Sequence, residues 1–115
     1  MQMVKMIAFL KRNPSLTREE FSRHWREKHA PLVMSVPEFR RYLRKYTQCH
    51  IASNAGPVGA AADFDGVAEL WFDSADDLAK AFSEPRYLEI IRPDEKRMLD
   101  FDKVLVCVTE EISIC

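Results

Sequence analysis

Two helix starts punctuate this chain, and each follows a short apolar run. Thr17-Arg-Glu-Glu20 is a capping box, in which the Thr17 hydroxyl accepts from the third helical N–H and Glu20 reaches back to the cap. Ser74-Ala-Asp-Asp77 caps a second helix, whose apolar stripe is Ala75, Leu78, Ala79 and Phe82. Val4–Leu10, interrupted only by Lys5, and Gly66–Phe72 read as the strands ahead of them. Residues 41–51 alternate, with Tyr42, Arg44, Tyr46, Gln48 and His50 on one face and Leu43, Lys45, Thr47, Cys49 and Ile51 on the other. The valine-rich stretch 103–109 supplies a last strand. The order strand–helix–strand–strand–helix–strand in 115 residues makes a single α+β domain over 1–115.

The punctuation between these elements is equally specific. Arg12-Asn-Pro-Ser15 and Val36-Pro37 are turn chemistry. Ala30-Pro31 is expected to end or bend the first helix, because proline disfavours helical geometry in the residue before it. Pro85 and Pro93 are expected to break the stretch after the second helix into short helical pieces, with Tyr87, Leu88, Ile91, Met98 and Leu99 as apolar contacts. Residues 52–63 (ASNAGPVGAAAD) lack any period and form a loop long enough to suggest a functional one, such as a lid.

Two helices cover only one face of a four-stranded sheet. The other face also carries large apolar groups, from Val104, Val106 and Val108 or from Leu105 and Cys107 according to register. An uncovered face of that size predicts a partner, and the simplest is a second copy related by a two-fold axis.

Lys and Arg total 17 against 18 Asp and Glu, so net charge gives no reason to expect nucleic acid or an anionic membrane as partner. The local basic cluster Arg40, Arg41, Arg44 and Lys45 reads as a solvated face. There is no apolar run near ~18 residues to span a membrane, and the first strand lacks the cleavage site of a signal peptide. Cys49, Cys107 and Cys115 make an odd count without a CxxC, which fits reduced thiols in the cytoplasm and argues against a zinc site.

No nucleotide-binding, serine-hydrolase or zincin motif is present. What remains is a set of acid–base side chains beside aromatic ones. Phe21, Trp25 and His29 recur at i, i+4 and i+8, so His29 shares a stripe that faces the sheet. It reads either as a proton carrier or as a helix-end histidine bonded to a last-turn carbonyl. His50 shares a strand face with Tyr46 and Tyr42, a row that either lines an aromatic-binding cleft or packs at a sheet edge. Glu69 and Trp71 share a face of the third strand, near Asp63 and Asp65. A carboxylate in an apolar cleft acts as an acid, whereas Asp65 reads better as solvated. His24 lies one residue off the stripe and reads as exposed, and Cys49 faces away from His50.

The stretch Phe21-Ser-Arg-His24-Trp25, continuing to His29-Ala30-Pro31, resembles the signature of the EthD-domain family. Tyr42 through Tyr46-Thr-Gln-Cys-His50 and the segment DGVAELWF are similar to the elements that follow in that family. The resemblance covers nearly the whole chain. It implies a ferredoxin-like βαββαβ fold with a four-stranded antiparallel sheet, paired as a dimeric α+β barrel, and members that work without metal or organic cofactor. Fungal members act as decarboxylases, dehydratases or cyclases in polyketide pathways. Relatives include an isomerase, and cousins of the barrel are cofactor-free monooxygenases and haem-degrading enzymes. The family's histidines map onto His29 and His50.

The expectation is therefore a lyase, a decarboxylase or dehydratase/cyclase, acting on an aromatic polyketide intermediate of secondary metabolism. His29 and His50 are its expected catalytic residues, and Trp25, Tyr42, Tyr46, Asp63, Glu69 and Trp71 its substrate-binding residues. The alternatives are a cofactor-free oxygenase or isomerase and a non-catalytic ligand-binding dimer module, which the same fold hosts.

Overall fold

The computed structural model describes residues 3–53, 56 and 58–115. Strands β1 (Val4–Leu10), β2 (Leu43–His50), β3 (Gly66–Phe72) and β4 (Leu105–Thr109) form one sheet in the order β2-β3-β1-β4. All three pairings are antiparallel, giving the ferredoxin-like arrangement. The first helical run comprises α1 (Arg18–His24), a π-turn (Trp25–His29) and α2 (Ala30–Met34). A short α3 (Pro37–Arg40) leads into β2. After α4 (Ala75–Ser83), a second run comprises a π-turn (Tyr87–Ile91) and α5 (Arg92–Met98). Among the described residues no helix is long and apolar enough to cross a membrane.

The caps read from the sequence are formed. Thr17 and Glu20 exchange both bonds of the capping box, and the Ser74 hydroxyl accepts from the Asp77 N–H. Pro85 follows the end of α4 as expected, whereas Pro31 and Pro93 do not break their helices. Pro31 and Pro93 each lie in the first turn after a π-turn, and the helix continues through them. The N–H of Ala30 reaches back to the Trp25 carbonyl, and that of Arg92 to the Tyr87 carbonyl, five residues in each case. Widening the turn removes the need for a proline N–H and eases the ring away from the carbonyl four residues back.

The helices lie on one face of the sheet. There Val4, Ala8 and Leu10 of β1 and Ala68, Leu70 and Phe72 of β3 meet Phe21, Trp25, Val33, Tyr87, Ile91 and Met98. An aromatic cluster of Phe39, Phe72, Phe82 and Tyr87 fills one end, with ring centroids 5.0–6.3 Å apart. Each such ring removed from water contributes about 1.5–3 kcal/mol. Gly66 is required by contact: a Cβ there would stand 2.6 Å from the Trp25 ring.

Three placements correct the sequence reading. The strict alternation expected over 41–51 is interrupted by an irregularity between Leu43 and Lys45. It turns Leu43 into the core together with Tyr46, and it leaves Tyr42 before the strand, beneath the Arg41 guanidinium rather than in a row with Tyr46. Period-two pairing turns Ala68, Leu70 and Phe72 inward, so Glu69 and Trp71 face away from the helices. There Lys5 bonds Glu69 at 3.0 Å and Glu111 at 2.9 Å, and the ammonium groups of Lys5 and Lys45 lie over the Trp71 ring. Asp65 is not solvated: it is buried and accepts from the Arg12 N–H and from the Arg12 and Arg18 guanidinium groups. The loop 52–63 lies only partly within the described residues.

Candidate functional site

Helices and sheet enclose two adjoining spaces. The deeper one, about 70 Å³, is lined by His29, Tyr46, Trp25 and Glu95 among apolar side chains. The outer one, about 310 Å³, is walled by Tyr87, Arg92, Phe101, Val104 and Val106. Met6, Ala8, Leu10, Phe82, Glu95 and Leu99 line both, so they form one cleft with Glu95 at the neck. The volume of the outer space is at the lower end of small-molecule sites.

His29 is the pivot. It is buried, and its Nδ1 stands 2.8 Å from Asp94 Oδ2. Burial pushes the Asp94 carboxyl up, but the hydrogen bonds from His29 and His24 outweigh that and hold it below its usual value. An ionised carboxylate only accepts, so Nδ1 carries the proton and donates. His29 Nε2 then faces Glu95, whose Oε2 is 4.0 Å away. Glu95 Oε1 accepts from the Tyr87 hydroxyl at 2.6 Å and lies 3.3 Å from Arg92 Nε. Burial nevertheless pushes the Glu95 carboxyl above its usual value, and Tyr87, His29 and Arg92 only partly offset this.

Two of these groups meet because of the π-turns. His24 and His29 are five apart, about 140° apart around a regular α-helix, yet both reach Asp94: His24 Nε2 is 2.8 Å from Oδ1. Tyr87 and Glu95 are eight apart, about 80° on a regular helix, yet they share a hydrogen bond. The extra residue in each widened turn removes the offset.

Tyr46 completes the wall. Its oxygen accepts from Gln48 Nε2 at 3.0 Å, and the Trp25 side chain also hydrogen-bonds it. Burial raises its pKa, so the phenol keeps its proton and can donate it. Gln48 is itself fixed, because its Nε2 also donates to the Trp25 carbonyl at 2.9 Å. Its Oε1 therefore faces His50 Nε2, 2.9 Å away.

The site expected from the sequence is thus divided. His29, Tyr46 and Trp25 come together in the cleft. His50 does not line it: its ring lies 4.6 Å from Trp25, with Nδ1 on the Ser22 hydroxyl and Nε2 on Gln48. Desolvation, aided by the Arg26 charge, lowers its pKa. Asp63 is exposed and pairs with Lys11 at 2.8 Å. Glu69 and Trp71 are on the outer face, and Tyr42 packs beside the core before β2. The residues missed are His24, Tyr87, Arg92, Asp94 and Glu95. A signal for Tyr87 and Glu95 was present. Phe21, Trp25, His29 and Val33 repeat every four residues, as do Tyr87, Ile91, Glu95 and Leu99. Three such steps drift about 120° on a regular helix, so a stripe this long needs a wider turn. Among the described residues no group of three or more His, Cys, Asp or Glu is arranged to hold a metal ion.

Known proteins share this arrangement of elements. A protein of the EthD family from Bacillus halodurans C-125 superposes with a TM-score of 0.71 at 22% identity, covering 96% of this chain and 100% of its own. Over 98 residues the chain is 26% identical to a conidial pigment biosynthesis dehydratase of Metarhizium robertsii, spanning 77% of this chain and 68% of that protein. It is also 26% identical over 98 residues to the dehydratase aurZ of Gibberella zeae, spanning 77% of this chain and 64% of that one. The chain therefore spans about two thirds of the length of these relatives. The family model of the EthD domain matches residues 13–102, and the chain belongs to the EthD domain family.

Proposed function

We propose that the chain is a cofactor-independent lyase that removes water from an aromatic polyketide intermediate. The observation that carries this is the His29–Asp94 pair, which directs Nε2 across an apolar cavity toward a buried Glu95 whose pKa burial raises. Such a pair, with environments that differ, divides the roles of base and acid.

In this reading His29 Nε2 takes the proton from the carbon next to a substrate ketone. The Tyr46 hydroxyl donates to the enolate oxygen that forms. The bond from the β-carbon to its hydroxyl then breaks, and Glu95 gives that hydroxyl a proton so that it leaves as water. The imidazolium hands its proton back across the 4.0 Å gap to Glu95. Asp94 holds the imidazole in the required tautomer and stabilises its charge while it is protonated. Decarboxylation and aldol cyclisation use the same three groups, and the names of the two fungal relatives favour dehydration.

The test is a panel of β-hydroxy ketones fused to phenolic rings, with loss of water followed by mass spectrometry. His29→Gln is expected to lower the rate about 10²- to 10⁴-fold while circular dichroism stays native. A fully active variant, or no water loss from any member of the panel, overturns the reading.

The outer sheet face presents Ile7, Phe9, Val67 and Leu105, the last 59% exposed. We infer that a second copy covers it, as a homodimer. Sedimentation as a monomer at micromolar concentration is the result that would refute this.

A further inference from the structure

Arg92 is placed where the proposed chemistry does not use it. Its guanidinium carbon lies 5.3 Å from the Tyr87 ring centroid and 5.4 Å from that of Phe101, so the group is held between two aromatic side chains. Nε donates to the Tyr87 hydroxyl at 2.9 Å and lies 3.3 Å from Glu95. The two terminal amino groups meet no protein acceptor among the described residues. A guanidinium carries five N–H donors in a planar fork, so four donors are left on a cation that walls the 310 Å³ space. The remaining walls there are mostly apolar: Met6, Ala8, Leu78, Phe82, Leu99 and Val106.

Glu95 meets this cation at Nε, 3.3 Å away, and leaves the terminal amino groups open. Nε is shared with Tyr87, and burial makes the Glu95 carboxyl a weaker acid than usual. A positive fork on an apolar wall matches a flat ligand that bears an anion at one edge. A carboxylate accepts two parallel N–H bonds from such a fork.

We propose that Arg92 anchors a carboxylate on the substrate's aromatic body, so that the cleft selects acidic aromatic molecules over neutral ones of the same shape. This rests on the lyase reading, and it adds the orientation. The anionic edge sits in the outer space against Arg92. The opposite end enters the deep space at His29 and Tyr46, past Glu95 at the neck. Arg92 then acts on which substrate is held and which way round, and His29 on what happens to it.

The test reads binding without turnover. 3-Hydroxy-2-naphthoate and 2-naphthol share a bicyclic body and differ by the carboxylate. Calorimetry on the native protein is expected to show the acid bound at least about tenfold more tightly, as for a charge-assisted pair. Arg92→Gln is expected to reduce the acid's advantage over 2-naphthol to less than about twofold, with a native circular dichroism spectrum as the sign that the fold is intact. Arg92→Lys is expected to keep part of it. Equal binding of the two probes by the native protein, absence of binding of both, or an undiminished preference in Arg92→Gln overturns the inference. These outcomes are independent of the lyase reading. Water loss without carboxylate preference leaves the lyase and removes the anchor. Preference without water loss from any substrate does the reverse.

Discussion

His29 and His50 look alike in the sequence: each is at the end of an element, each beside aromatic residues. Folded, they differ in what is left for a ligand. His29 gives Nδ1 to an ionised carboxylate and turns Nε2 toward the cavity. His50 spends both nitrogens on neutral neighbours, Ser22 and Gln48, and stacks on Trp25 outside the cleft. The lesson is that a histidine becomes an acid–base candidate through its free nitrogen, and only secondarily through its surroundings. His50 lies two hydrogen bonds from the Tyr46 oxygen through Gln48, and we propose it as a positioning residue.

The comparison can be broken by substitution. After His29→Gln, the largest loss is expected for Asp94→Asn, about 10²-fold in turnover, because the amide no longer enforces the Nδ1–H tautomer. A rate that is unchanged would put His29 on the same footing as His50. His50→Ala is expected to cost less than about tenfold, read as a loosening of Tyr46. A loss equal to that of His29→Gln would erase the distinction.

Glu95→Gln sharpens the same contrast through stability. The Glu95 pKa is raised in the folded state, so the folded protein holds this proton more tightly than the unfolded chain. The stability this contributes is fully present below the unfolded value near 4.5 and is withdrawn as pH rises through the raised value. The glutamine has no such dependence. Thermal unfolding is therefore expected to favour Glu95→Gln over the native protein more at about pH 8 than at about pH 5, while turnover falls. A stability difference that does not change with pH would remove Glu95 as the buried acid.

Much of this molecule was legible in its sequence, for identifiable reasons. The caps at Thr17 and Ser74 are local chemistry, and they form as read. The strands follow from apolar runs, and the membership of the family from the stretch around His24 to Pro31. What was not legible depends on counting through irregularities. One irregularity in β2 removed Tyr42 from the row with Tyr46. The strand face of Glu69 and Trp71 is set by which neighbours face the core, and period two alone leaves that open. Asp94 and Glu95 were hidden because Pro93 suggested a break where the helix runs on.

The π-turns carry a consequence for how this chain tolerates changes in length. Insertions and deletions are usually safest in loops and ruinous in strands, with helices judged by the hydrogen bonds lost. Between Phe21 and Val33 that scale does not apply. Removing one residue from 25–29 would restore a regular helix with eleven residues from Phe21 to Val33, about 20° from whole turns, so the two flanks would keep their relative orientation. Phe21 and Val33, both buried, would still face the sheet together, and the cost would be the side chain removed. A relative one residue shorter here could therefore carry the same stripe on a regular helix, with one side chain fewer in the turn.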